Sequence, residues 1–194
     1  MHIPRKRFGQ HWLKDQGVLD KIVKAAKLNS EDCVLEVGPG KGALTERLIE
    51  SQARFIQAIE LDKDLVAGLK KRFSHHNKFS LREGDILSVP LNPENGLIVN
   101  KVVANIPYNI TGPLLKRLIG ELRKAPENNF ESLVLLMQKE VAQRIVAKPG
   151  SSSFSALSVR IQLLAKCEYI CDVPPKCFQP KPKVDSKVVM IKPF

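Results

Sequence analysis

An amide, a proline and a phenol stand within four residues at Asn105-Ile106-Pro107-Tyr108. Asn105 offers an amide oxygen as acceptor, and Tyr108 offers a flat face on which a base can lie. Pro107 fixes its own φ and pushes Ile106 out of the helical region, so the carbonyls here can face a ligand instead of joining a helix ladder. Two acceptors and a platform suit a demanding substitution, that at the exocyclic nitrogen of adenine. This nitrogen is a poor nucleophile because its lone pair is delocalised into the ring. If the Asn105 oxygen and a carbonyl near Ile106 each take one N–H, the nitrogen is drawn towards a tetrahedral shape with its lone pair aimed at a methyl group. No strong general base is required, because the amine becomes acidic once methylated. In isolation the same four residues also read as a surface loop, so their setting has to decide.

That setting is a series of apolar runs, each ending in a polar or glycine tip. Val34, Leu35 and Val37 suit a buried strand, and the run stops at V-G-P-G-K-G, where Gly38, Gly40 and Gly42 let the backbone bend sharply and approach a ligand. Ala43 to Ile49 then reads as an amphipathic helix whose free N–H groups point back at the turn, a place that welcomes a carboxylate or phosphate. The spacing is G-x-G-x-G and not the G-x-G-x-x-G of dinucleotide binders, which weakens a pyrophosphate clamp. Glycines at such a turn are often only structural. Here the next apolar run, Phe55 to Ile59, ends at Glu60, where an acid can accept from both hydroxyls of a ribose. A third short strand, Phe79 to Arg82, closes on Gly84-Asp85, and that Asp can accept from the amine of a bound adenine or serve as a plain turn residue. Leu97 to Ala104 supplies a fourth strand, with Asn105 at its tip. Successive strand tips are where an open α/β sheet holds its ligand.

The remaining pattern completes an α/β sheet with helices on both faces. Helices are predicted at Gly17 to Lys27, Asp64 to Phe73, Thr111 to Lys124, Lys139 to Val146 and Ala156 to Lys166, the last capped by Ser155 with Leu157, Ile161 and Leu164 inward. Further strands are predicted at Ser132 to Met137, Cys167 to Val173 and Lys187 to Ile191. Between the last two lies a stiff basic loop, P-P-K-C-F-Q-P-K-P-K-V-D, with Phe178 among Lys176, Lys181 and Lys183. An aromatic interleaved with cations suits a splayed-out nucleotide; the alternative is Phe178 as a plug beneath the loop.

Composition narrows the function class. The 194 residues suffice for one domain with a full core, and 43% hydrophobic content argues against disorder. A net charge of +11 favours a polyanionic partner, and Arg5, Lys6 and Arg7 form either a phosphate-contacting arm or a solvated tail. Cys33, Cys167, Cys171 and Cys177 lack any C-x-x-C pair, so no zinc site or other metal is expected; they read as reduced, mostly core thiols of a cytosolic protein. No run of about 18 apolar residues and no signal-like N-terminus is present, so no membrane association is expected.

Four blocks together, F-G-Q-H-W-L at 8 to 13, E-V-G-P-G-K-G at 36 to 42, N-I-P-Y at 105 to 108 and F-Q-P-K-P-K-V-D-S at 178 to 186, resemble the small-subunit rRNA adenine dimethyltransferases. The resemblance runs through nearly the whole chain and implies a Rossmann-like class I methyltransferase fold with a seven-stranded, mostly parallel sheet. It further implies S-adenosylmethionine as methyl donor, contacted by His11, Leu13, Gly38, Gly40, Glu60, Asp85 and Asn105. Tyr108 and Phe178 would flank the target adenine, with Asn105, Ile106 and Pro107 at the amine. The implied substrate is small-subunit rRNA in an immature ribosomal particle, and the products are two adjacent dimethyladenosines near its 3' end. The family usually carries Asn after F-G-Q; here it is His11, whose backbone can still serve. Family members continue with a small helical domain, so residues 1–194 correspond to the methyltransferase domain. A monomer is the default for a chain that docks on a large ribonucleoprotein. Two rivals share the pattern: the related large-subunit rRNA methyltransferases of macrolide resistance, and non-catalytic RNA-binding or transcription factors on the same fold. F-G-Q and P-K-V-D-S favour the small-subunit enzyme over the first, and intact Asn105 and Tyr108 argue against the second.

Overall fold

The computed structural model describes residues 11–194. Arg5, Lys6, Arg7 and the F-G-Q part of the first block lie outside the described residues. Seven strands form one sheet: β2 (Cys33–Val37), β3 (Phe55–Glu60), β4 (Phe79–Glu83), β5 (Lys101–Asn105), β6 (Ser132–Gln138), β7 (Ala165–Val173) and β9 (Ser186–Pro193). Their spatial order is β4-β3-β2-β5-β6-β9-β7, with β9 antiparallel to both neighbours and the other pairings parallel. The expected seven-stranded, mostly parallel sheet is therefore present. A two-residue ladder, β1 (Trp12–Leu13) against β8 (Phe178–Gln179), stands beside it and was not foreseen.

Alternation along the strands sorts the core into two layers. Val34, Ile56, Ala58, Val103, Val134 and Val188 face one side, where they pack with helices α1 (Gln16–Ala26), α2 (Ala43–Glu50) and α3 (Lys63–Phe73). Leu35, Val37, Ile59, Val102, Leu135 and Val189 face the other, against α4 (Thr111–Ile119), α5 (Lys139–Val146) and α6 (Ala156–Gln162). The chain runs from β2 outwards to β4 and then returns to β5 on the opposite side of β2. The order of strands thus reverses between β2 and β5, and the crevice at their carboxyl ends is where such sheets bind ligands. At the other end of the sheet the Lys101 ammonium, 2.9 Å from Asp32 Oδ2, also donates to the Ala26 and Lys27 carbonyls that end α1.

Three boundaries differ from the sequence reading by more than two residues. β5 starts at Lys101, not Leu97, because the Asn95 and Asn92 side chains take the N–H groups of Leu97 and Val99. α4 ends at Ile119, not Lys124: Gly120 has φ +80°, and a Cβ there would lie 2.7 Å from the Lys124 carbonyl oxygen. α6 ends at Gln162, since Ala165 and Lys166 are drawn into the ladder opposite Pro193 and Lys192; Leu164 sits half-buried in the turn. All four cysteines are free thiols, but two are buried and two half-buried, so the core holds fewer than expected.

Candidate active site

The turn after β2 holds Gly38, Gly40 and Gly42 at φ +62°, +59° and +82°. Positive φ alone favours glycine, and at two positions space does too. A Cβ on Gly40 would lie 2.7 Å from Trp12 Cδ1, and one on Gly42 2.5 Å from Phe73 Cε2. Trp12 thus forms a wall over the turn, with the Lys41 ammonium 4.1 Å from its ring centre. From the tip of β3, Glu60 reaches across to the same turn. Its Oε2 accepts from Gly40 N at 3.0 Å and its Oε1 from Asp62 N at 2.9 Å. Burial pushes the Glu60 pKa up, and these two N–H groups oppose the rise. A carboxylate has about four acceptor sites, so the acid can brace the turn and still accept from a hydroxyl.

Asp85 follows β4 on the rim of the same pocket, brought alongside by Gly84 N donating to Glu60 O at 2.9 Å. One of its oxygens accepts from Leu87 N at 2.9 Å. Across the switch point, β5 ends at Asn105. Its Nδ2 donates to the His11 carbonyl at 3.0 Å, and because a carbonyl can only accept, this partner fixes the amide orientation. Oδ1 is left as the end of the amide that a ligand can use. Ile106 is buried, with its N–H donated to Leu136 O at 3.1 Å, and Pro107 holds an extended ψ of 129° before the turn Tyr108–Ile110. Ile106 and Pro107 therefore lie outside any helix, and the helical turn begins only at Tyr108, as the proline predicts. Gly38, Gly40, Glu60, Asp85, His11 and the four residues from Asn105 to Tyr108 all line this one pocket.

Two predicted positions fall elsewhere. Phe178 is 0% exposed and packs in the core beneath the sheet, so its ring offers no face to the pocket and the expected stacking role is corrected. The ladder explains the placement: Phe178 pairs with Leu13 in β1 and turns inward beside Val173, Cys177 and Val188, while Gln179 turns out. Leu13 is buried as well and lines a neighbouring cleft that shares Trp12, Gly38 and Asn105 with the pocket. Trp12 and Ser186 carried no role in the sequence reading. Both stood inside quoted motifs, the only signal available.

Strand order, glycine turn, acid at the next strand tip and the N-I-P-Y turn together define a Rossmann-like class I methyltransferase fold. The chain matches the family described as ribosomal RNA adenine dimethylase over residues 1–193, and it belongs to that family. It is 87% identical over 193 residues to the ribosomal RNA small subunit methyltransferase A of Prochlorococcus marinus strain NATL2A, covering all of this chain and 66% of that protein. Among solved structures it is similar to a dimethyladenosine transferase from Plasmodium falciparum, with TM-score 0.83 and 36% identity over 95% of this chain and 64% of that one. It is also similar to the 23S rRNA methyltransferase ErmE, with TM-score 0.80 and 29% identity over 94% of this chain and 70% of that one. Among the described residues no helix is long and apolar enough to cross a membrane, and no group of side chains could hold a metal ion.

Proposed function

We propose that this chain is the methyltransferase unit of a small-subunit rRNA adenine dimethyltransferase. It would use S-adenosylmethionine to give two adjacent dimethyladenosines near the 3' end of the RNA in an immature particle. The observation that carries the reading is Asn105 in the pocket lining, with its amide nitrogen committed to the His11 carbonyl so that its oxygen is the end left to accept. The similarity to small-subunit enzymes over the whole chain supports the choice of substrate.

The residues present fit the donor. Gly38 and Gly40 hold the positive φ that the turn needs, a Cβ on Gly40 would run into Trp12, and Glu60 places a braced carboxylate at the tip of β3 for the ribose. Asp85 would take the adenine amine, and His11 would line the methionine side through its backbone. When bound, the donor supplies a methyl group on a positively charged sulfur. The protein's own part is to hold the target base on Tyr108 and to direct its amine. Asn105 Oδ1 and the Ile106 carbonyl accept the two N–H bonds, which draws the nitrogen out of conjugation and leaves its lone pair facing the donor side. Exposed Lys176, Lys181 and Lys183 of the proline-rich loop would contact RNA phosphates.

Glu60→Ala is expected to weaken donor binding about tenfold or more, the scale of losing hydrogen bonds to a charged group. The same change frees the Gly40 N–H and loosens the turn. Calorimetry with S-adenosylmethionine checks it; unchanged affinity would remove Glu60 from the ribose site. RNA affinity should fall steeply with salt if phosphate contacts dominate, and a flat response in filter binding would exclude the basic loop as docking site. The deciding experiment is transfer of labelled methyl groups to immature small-subunit particles, with large-subunit particles alongside and the product identified by mass spectrometry. Dimethyladenosine in the small subunit alone is expected. Transfer to the large subunit alone would favour the resistance-type reading.

A further inference from the structure

Tyr108 is held from two directions by side chains that no part of the proposed mechanism uses. Its phenol oxygen lies 2.5 Å from Ser186 Oγ, and Ser186 is fully buried at the start of β9. Its ring is stacked on the His11 imidazole, with centroids 5.6 Å apart and planes inclined by 28°. The imidazole is itself fixed, because Nδ1 donates to the Pro180 carbonyl at 3.0 Å. Ser186 and Pro180 belong to the same proline-rich segment, Phe178 to Ser186, whose first residue is anchored in the core and paired with Leu13. Lys139 N donates to Asp185 O at 3.0 Å and ties the other end of the segment to the start of α5. Both ends are anchored, and the two contacts between them converge on one phenol.

We infer that this segment is the clamp of the base platform, with Ser186 and His11 as positioning residues that act through the Tyr108 ring. The inference rests on the proposed methyl transfer and deepens it. A stacked base can slide and tilt over a free phenol, and the amine must reach Asn105 Oδ1 and the Ile106 carbonyl together. A ring held at its hydroxyl and backed by an imidazole has one orientation before substrate arrives, so the ordering cost is met in folding and not in the transition state. Backing also leaves a single face of Tyr108 for the base. His11, read from sequence as a donor contact, thereby gains a second task, and the loop takes part in catalysis by holding the platform and not through Phe178.

The test uses Ser186→Ala, Tyr108→Phe and their combination in the 194-residue chain. Tyr108→Phe keeps the ring and breaks the same hydrogen bond from the other end, so it reads the contact even if Ser186→Ala folds poorly. Each single change should lower kcat about tenfold with little change in the affinity for S-adenosylmethionine, and the double variant should be no slower than the slower single. Multiplying losses would show that the two hydroxyls act separately and would overturn the clamp. His11→Phe, which retains a flat ring, should keep more of the rate than His11→Ala; equal rates would overturn the backing role. A readout independent of methyl transfer is fluorine NMR of the chain labelled with 3-fluorotyrosine, in which Tyr108 and Tyr169 are the two tyrosines. Slow flipping of the Tyr108 ring in the unaltered protein, lost in Ser186→Ala, is expected. A chain that transfers no methyl group but keeps this ordered ring would refute the proposed function and leave the clamp standing, whereas a freely flipping ring would refute the clamp.

Discussion

Replacing Asn105 with Ala is expected to slow methyl transfer a hundredfold or more, the scale of removing one preorganised polar group from a developing charge. Two consequences add. The acceptor that draws the target amine out of conjugation disappears, and so does the Nδ2 bond to the His11 carbonyl that holds the N-terminal segment against β5. Asn105→Asp separates them. It keeps an oxygen towards the pocket but turns the other, now anionic, towards the His11 carbonyl, where two acceptors repel. This variant is therefore expected to lose nearly as much rate as the alanine change, although its acceptor is intact. Donor affinity should stay within a few-fold in both, because the glycine turn and Glu60 do not depend on the amide. Single-turnover transfer from labelled S-adenosylmethionine, with calorimetry on the same samples, measures both quantities. Turnover at the unaltered rate in Asn105→Ala would remove this residue from the chemistry.

The tips of the parallel strands were legible because local chemistry sets them. Gly38 needs positive φ, Glu60 ends an apolar run, and Pro107 forbids Ile106 the helix, all statements about neighbours in sequence. Which layer Val34 and Leu35, or Val102 and Val103, face was not legible, because strands buried on both faces are apolar at every position. Phe178 was misread because a lone aromatic among lysines carries no period: β8 is two residues long, too short to tell inside from outside. Its orientation comes from pairing with Leu13, near the opposite end of the chain, which no local rule reports. The same long-range closure places Ser186 beneath Tyr108 and Trp12 over Gly40. Boundaries failed for another reason, since Asn92, Asn95 and Gly120 compete with regular ladders through side-chain bonds and a left-handed residue.

The largest pH effect is expected from Glu36, on β2 just before the glycine turn. Its side chain is buried, its Oε2 has no hydrogen-bond partner among the described residues, and Thr45 and Glu60 are beside it. Burial, with a smaller push from the Glu60 charge, raises its pKa from 4.5 to about 8. Below about pH 4.5 the acid is protonated whether the chain is folded or not, and it contributes nothing to the pH dependence. Between there and pH 8 the unfolded chain releases the proton while the folded chain keeps it, so stability falls as pH rises, at most by about 1.4 kcal/mol per pH unit. Glu36→Gln has the same shape and no proton to lose. It should match the parent protein near pH 5 and exceed it by roughly 3 kcal/mol or more at pH 8, read as denaturant midpoints across the range. A difference between the two proteins that stays constant from pH 5 to pH 8 would mean that Glu36 ionises freely in the folded state. The acid lines the cleft that joins the pocket at Gly38 and Asn105, so a neutral Glu36 also keeps negative charge away from the turn that Glu60 braces. Two carboxylates this close to one glycine turn can both be present because burial holds one of them uncharged at neutral pH.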